Sequence, residues 1–189
     1  YEITCRDWRS DVCSSDLQMG FVTQAILESG KVPTALIIET RQFAAPAFIQ
    51  AKMKLGPNEN IFFLKRLRFA DGKLLAIENA YFRHDIGQEL MQEDLSGSVY
   101  TLLQEKYNHR LYRSENTIEA ARADEATAGI LDISPGDPVL KIDRLVYLNN
   151  EQAFEYSEDI FRADRIKFTI EDFYQSDKTK LQVMSAHDG

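Results

Sequence analysis

The alternation of hydrophobic and polar residues divides the chain into short helices and strands. Helical spacing predicts helices over 21–29, 47–55, 98–107 and 124–131, and β-rich runs predict strands over 34–40, 61–69, 73–82, 113–119 and 168–173. Asp71-Gly72 and Asn149-Asn150 each interrupt a strand pattern, and such pairs tolerate the backbone of a tight hairpin turn. Helices placed between hairpins, without a strand–helix–strand rhythm, favour an α+β fold with a mainly antiparallel sheet.

One stretch of the sequence occurs twice. Residues 55–73 reappear 78 residues later as 133–151, with the same proline, the same Arg-Leu pair and a turn in the same place. When one residue is left out after the second turn, Glu78 aligns with Glu155. Two copies are too few for a solenoid, so we predict one internally duplicated domain in which each copy supplies one Glu at an equivalent place.

Length and charge limit the functional classes. The 189 residues suffice for one well-buried domain, and a net charge of −8 argues against a surface that grips a phosphate backbone. No apolar run approaches the length of a membrane span, and no secretory signal opens the sequence. We expect a cytoplasmic domain without a membrane partner.

Residues 1–17 differ in character from the rest. Segment 7–17 matches the conceptual translation of a common sequencing-library adapter at all but one position, Arg9. We therefore expect 1–17 to be non-native, 18–174 to be the functional domain and 175–189 to be a polar C-terminal tail. Both cysteines lie in the first segment, so we expect no disulfide, zinc site or cysteine nucleophile in the domain.

Two arginines on one predicted strand are the main candidate for ligand chemistry. Arg66 and Arg68 are two residues apart and point to the same face, where two guanidinium groups repel unless an anion lies between them. The second copy has Arg144 and Val146 in these places, so only the first copy carries the pair. A solvated strand face with two charges is the alternative. If the pair binds a ligand, Arg66→Ala is expected to weaken binding while leaving folding nearly intact.

Other polar residues extend the candidate site. Ser96-Gly97-Ser98 precedes a predicted helix and offers hydroxyl and amide groups to an anion, although an ordinary helix cap is the commoner use. Glu78 and Glu155 can accept hydrogen bonds from hydroxyl groups or an amine, or they are plain surface carboxylates. The histidines have no metal-ligand spacing, and no phosphate loop or nucleophile elbow is present. We therefore expect no catalytic residue, metal or cofactor.

Several motifs together resemble a known family. They are Gly72 with Glu78, the run 94–103 (DLSGSVYTLL), the run 134–138 (SPGDP) and Glu155-Tyr-Ser157. This combination is similar to the UTRA domain, the effector domain of HutC-subfamily GntR regulators, over about residues 21–174. The resemblance implies a chorismate-lyase-like fold with a ligand pocket between sheet and helices. It also implies a homodimer whose operator DNA is bound by a winged helix-turn-helix that is missing from this chain.

The resemblance also implies which residues bind the effector. Arg66 and Arg68 would hold its anionic end, Ser98 and Tyr100 would complete that anion site, and Glu78 and Glu155 would bind sugar hydroxyls or an amine. Thr23 falls at a ligand position in the first helix. Phe161 stands where members that bind sugar phosphates often carry Tyr.

The leading interpretation is the ligand-sensing and dimerisation domain of a bacterial transcriptional repressor, with a sugar phosphate or similar anion as effector. A lyase-type enzyme of the same fold, acting on an aromatic carboxylate, is the first alternative. Its substrate would need a more apolar pocket. An interaction domain without a small ligand is the second alternative.

Overall fold

The computed structural model describes residues 21–149 and 151–167. These residues form eleven elements: α1 (Phe21–Glu28), β1 (Pro33–Ala44), α2 (Ala47–Met53), β2 (Asn60–Ala70), β3 (Lys73–Arg83), α3 (His84–Leu90), α4 (Val99–Glu105), β4 (Leu111–Arg122), α5 (Glu125–Leu131), β5 (Pro138–Leu148) and β6 (Ala153–Arg162). The predicted helices and strands within the described residues are confirmed, and α3 is a helix that the sequence pattern did not predict. The expected non-native segment 1–17, the strand 168–173 and the tail 175–189 lie outside the described residues.

The six strands form one antiparallel sheet in the order β1-β2-β3-β6-β5-β4. This sheet with its helices confirms the α+β class and the chorismate-lyase-like architecture. None of the helices in the described part of the chain is long and apolar enough to cross a membrane.

The internal duplication is visible in the fold. The unit β1-α2-β2-β3 repeats as β4-α5-β5-β6, and the starts of β1, α2 and β2 each lie 78 residues before the starts of β4, α5 and β5. The two units meet where β3 pairs with β6, at the centre of the sheet. The duplicated pattern therefore produces one pseudo-symmetric sheet rather than two separate domains.

The register of the two hairpins corrects one detail of the sequence alignment. Arg68 pairs with Ala76 immediately before the irregularity in the first hairpin, and Val146 pairs with Glu155 immediately before the irregularity in the second. Leu148 receives a hydrogen bond register partner in Gln152, so the second turn is one residue longer than the first, not one residue shorter.

The corrected offset between β3 and β6 is therefore 79 residues. Glu155 corresponds to Ala76, and Glu78 corresponds to Ser157. The prediction that Glu78 and Glu155 occupy equivalent places is wrong. The sequence alignment favoured matching the two Glu residues, whereas the hydrogen-bonded ladder is aligned by its own irregularity next to each turn.

Helices cover both faces of the sheet because strand residues alternate between the faces. The duplicated helices α2 and α5 pack on one face, where Ile49 contributes to one apolar cluster and Leu131 to another. Helices α1, α3 and α4 cover the other face. Their buried side chains Ile26, Ile86 and Leu103 pack against β-strand residues of that face. The α3–α4 segment lies between the two repeats in the chain and has no counterpart in either.

Candidate functional site

A cavity lies between the sheet and the helices α1 and α4. It encloses about 410 Å3 including its open mouth. The lining residues come from α1, from four strands and from the start of α4: Val22, Thr23, Arg66, Arg68, Glu78, Phe82, Ser98, Val99, Tyr100, Arg144, Glu155, Ser157 and Asp159. Of the eight residues proposed from the sequence, seven line this cavity, and no site item here tests whether they bind a ligand.

The two arginines of β2 are held by one carboxylate. Arg66 and Arg68 are 3% and 4% exposed, and Glu78 lies directly opposite Arg66 on β3. The Arg66 Nη2 lies 2.5 Å from Glu78 Oε1, and the Arg68 Nη1 lies 3.5 Å from Glu78 Oε2. The anion between the guanidinium groups is thus Glu78 itself. Arg68 still carries a pKa lowered by burial, a cost that the nearby Glu78 only partly offsets.

Burial and charge act in opposite directions on Glu78. Burial by itself raises the pKa of this carboxyl group, but the attraction of Arg66 and Arg68 outweighs burial, and the net pKa is lowered. Glu78 is therefore ionised at neutral pH. It is a fixed countercharge of the arginine pair rather than a residue free to read the far end of a ligand.

Arg66 also holds the segment that leads into α4. Its Nη1 donates to the carbonyl oxygens of Leu95 at 2.6 Å and Gly97 at 2.9 Å. The expectation that Arg66→Ala would leave folding nearly intact is therefore wrong. The side chain satisfies two backbone acceptors and one carboxylate, and all three lose a donor when it is removed.

Two hydroxyl groups from different helices lie at the arginine end. Thr23 on α1 accepts a hydrogen bond of 2.5 Å from Arg68 Nη2. Ser98 is the N-cap of α4, and its hydroxyl accepts from the backbone N–H of Thr101 at 3.3 Å. Thr23 is thus a direct partner of the arginine pair, and Ser98 is a helix cap that also faces the cavity.

The second repeat builds a different polar cluster around Arg144. Arg144 Nε donates to Asn116 at 2.9 Å, and its Nη2 lies 3.7 Å from Asp159 Oδ2. Tyr100 on α4 hydrogen-bonds to both Arg144 and Glu155. The side chain of Tyr100 therefore joins α4 to β5 and β6, as Arg66 joins β2 to the segment before α4.

The acidic groups of this cluster hold their protons tightly. Burial raises the pKa of Glu155 to about 8, although Tyr100 and Arg144 act in the opposite direction. Burial also raises the pKa of Asp159, against the attraction of Arg144. Burial and Glu155 together raise the pKa of the Tyr100 hydroxyl. At neutral pH, Glu78 is therefore charged while Glu155 is largely protonated.

Several buried polar atoms at the cavity have no hydrogen-bond partner among the described residues. They are Arg66 Nε, Arg68 Nε, Glu155 Oε2, Ser157 Oγ and Asp159 Oδ1. Buried polar atoms in folded proteins are nearly always paired. This concentration of unpaired atoms around one cavity indicates a site that a polar ligand would complete.

Phe161 does not line this cavity. It is fully buried beside Ile26, Ala76 and Ile142, in the cluster beneath α1. The position that the resemblance assigned to ligand recognition thus lies in the apolar core next to the site.

Sequence reasoning missed Ser157 and Asp159 and treated Arg144 only as a contrast to the arginine pair. The signal was present in the strand period, because residues 155, 157 and 159 alternate along β6 and therefore face the same side as Glu155. What the period could not supply was the pairing of β6 with β3, which brings Asp159 opposite Glu78.

Comparisons with known proteins agree with this architecture. The model of the UTRA domain family matches residues 28–167. The HTH-type transcriptional repressor NagR of Bacillus subtilis is 29% identical over 147 residues, covering 77% of this chain and 60% of that protein. The chain spans about half to three fifths of the length of the curated relatives it matches.

Solved structures show the same fold. The crystal structure of PhnF from Mycobacterium smegmatis superimposes with a TM-score of 0.77 at 21% identity, covering 84% of this chain and 71% of that one. A GntR-family transcriptional regulator from Enterococcus faecalis V583 superimposes with a TM-score of 0.68 at 27% identity, covering 73% of this chain and 99% of that one.

Proposed function

The chain belongs to the UTRA domain family, and we propose that it is the effector-sensing and dimer-forming part of a cytoplasmic, HutC-subfamily GntR transcriptional repressor. The similarity to a named repressor supports the regulatory role. Operator DNA would be bound by a winged helix-turn-helix outside this sequence, since the chain carries a net charge of −8, whereas a DNA-binding surface needs clustered Lys and Arg. Effector binding would shift the population of two dimer arrangements and so alter operator affinity.

We propose a phosphorylated sugar as the effector. The observation that carries this proposal is the charge of the cavity, where three buried guanidinium groups face one firmly ionised carboxylate, Glu78. With Glu155 and Asp159 protonated, two positive charges remain to be neutralised. A phosphate monoester carries about −1.5 to −2 charges at pH 7 and therefore matches them.

The arginine pair is the proposed phosphate site. Arg66 Nε and Arg68 Nε have no partner among the described residues and can donate to phosphate oxygens, and the hydroxyl groups of Thr23 and Ser98 line the same end. Because Glu78 neutralises both arginines in this structure, a phosphate must share them with Glu78 or replace it. Phosphate arrival therefore rearranges the contacts of the arginine pair.

The lining does not favour an aromatic carboxylate substrate. An aromatic ring needs apolar walls with few polar groups, whereas most of the cavity residues are charged or hydroxyl-bearing and only Val22, Phe82 and Val99 are purely apolar. Ligand recognition rather than lyase chemistry is the function that this lining supports.

Arg68→Val tests the phosphate site with the protein's own alternative residue. Val146 occupies the position of Arg68 in the second repeat, so valine is compatible with this place in the strand. A hydrogen bond to a charged group contributes about 1.5–3 kcal/mol, and Arg68→Val should therefore weaken sugar phosphate binding roughly tenfold to a hundredfold.

The measurement is isothermal titration with a panel of hexose phosphates and their unphosphorylated sugars. Lys65→Val is the matched control, because it removes one positive charge from the same strand on the opposite face. The proposal fails if the parent protein binds none of the phosphorylated sugars. It also fails if it binds the free sugars equally well, or if Lys65→Val weakens binding as much as Arg68→Val does.

A further inference from the structure

The three polar residues of β6 form a row along the inner face of the cavity. Glu155, Ser157 and Asp159 are separated by two residues each, so their side chains project to the same side at intervals of about 7 Å. They are 2%, 2% and 4% exposed. Each has one oxygen atom without a hydrogen-bond partner among the described residues, namely Oε2, Oγ and Oδ1 respectively.

The two carboxyl groups are not part of the duplicated framework. Glu155 corresponds to Ala76 and Asp159 corresponds to Ala80 when the hairpins are aligned by their register. Both alanines are buried on the same face of the sheet. Since the first repeat folds with methyl groups at these places, the acids of the second repeat are additions that the sheet does not require.

Charges are distributed unevenly between the repeats. The first repeat places two guanidinium groups against one carboxylate, whereas the second places one guanidinium group, that of Arg144, against Glu155 and Asp159. When all groups are ionised, the first half of the cavity carries an excess positive charge and the second an excess negative charge. A complementary ligand is anionic at one end and cationic at the other.

We propose that Asp159 is a specificity-determining residue that, together with Glu155, binds an amino group at the end of the effector remote from its phosphate. This inference rests on the proposed function, since it assumes that the phosphate lies at Arg66 and Arg68. An ammonium group donates up to three hydrogen bonds, and Glu155 Oε2, Ser157 Oγ and Asp159 Oδ1 are the acceptors that wait unpaired along β6. The charge of the amine also stabilises the ionised forms of both buried acids.

The test compares two ligands that differ only in the amine. Glucosamine 6-phosphate and glucose 6-phosphate are titrated calorimetrically into the parent protein and into Asp159→Asn, which keeps the shape and removes the charge. We expect the parent to prefer the amino sugar at least tenfold. In Asp159→Asn we expect this preference to fall to about twofold or less, with the affinity for glucose 6-phosphate nearly unchanged.

Two further variants separate recognition from folding. Glu158→Gln removes one charge from the same strand, but its side chain lies on the opposite face near Tyr156, and it should retain the preference. Asp159→Ala supplies the residue found at Ala80 in the first repeat and should lose the preference like Asp159→Asn, with melting temperatures recorded for every variant.

The outcomes distinguish this inference from the proposed function. Binding of both sugar phosphates by the parent without preference overturns the amine site and leaves the phosphate site intact. Equal weakening of both ligands by Asp159→Asn also overturns it. If the parent binds neither sugar phosphate, the proposed function and this inference both fail.

Discussion

Replacement of Arg66 by Met should destabilise the unliganded domain substantially. Met retains much of the aliphatic stem and removes the guanidinium group, which pairs with Glu78 and donates to the carbonyl oxygens of Leu95 and Gly97. Removing one partner of a buried ion pair costs about 3–5 kcal/mol. Glu78 retains Arg68 as a weaker partner at 3.5 Å, and the repulsion between the two arginines disappears, so we expect a loss near the lower end, about 3 kcal/mol.

This loss should be visible in both chemical and thermal unfolding. For a domain of this size, about 3 kcal/mol corresponds to a fall in Tm of roughly 6–12 °C. Urea unfolding followed by circular dichroism gives the free energy of unfolding directly, provided that the slope of the transition is unchanged.

A double-mutant cycle assigns the cause. If the loss arises from leaving Glu78 without its main partner, Glu78→Gln should cost less in the Arg66→Met background than in the parent protein. An Arg66→Met loss below about 1 kcal/mol, or strict additivity in the cycle, would show that Arg66 does not hold this part of the fold as the contacts indicate.

Three further predictions use other parts of the molecule. A Cβ on Gly87 would lie 2.2 Å from Phe62 Cβ, so Gly87→Ala should destabilise by about 1–3 kcal/mol or more, whereas Gly129→Ala meets no atom within 4 Å and should stabilise α5 by up to about 1 kcal/mol in the same urea assay. Folded-state pKa values raised above the unfolded values disfavour the charged forms of Glu155 and Asp159, so the unliganded domain should lose stability from about pH 5 to pH 8. Asp159→Asn should flatten this dependence, and equal pH profiles for both proteins would contradict it. The proposed homodimer predicts a dimer mass by sedimentation at tens of micromolar, and a monomer mass would refute it.

Local patterns in the sequence were sufficient for most elements of the fold. Helical spacing and β-branched runs located α1, α2, α4, α5 and the two hairpins to within a few residues. They missed α3, whose seven residues include Gly87 and begin directly after β3 without an intervening turn signal. A short helix that continues from a strand has little periodicity of its own, and packing of Ile86 and Leu90 against the sheet is what stabilises it.

The candidate site was only partly predictable. The strand period placed Arg66 and Arg68 on one face, which is a local property of the backbone and is confirmed. The partner of that pair was not local. Glu78 lies between the guanidinium groups because β3 pairs with β2 in a register that places it opposite Arg66.

The sequence by itself therefore determined the duplication, the positions of the hairpins and the faces on which the polar residues lie, because these follow from local backbone geometry. Only the tertiary structure decided which charges meet. Thr23 reaches Arg68 across 45 positions of the chain, and Asp159 reaches the cavity through the pairing of β6 with β3. A turn that is one residue longer moves every following carboxyl group to a new partner, and the burial of those groups then sets their charge.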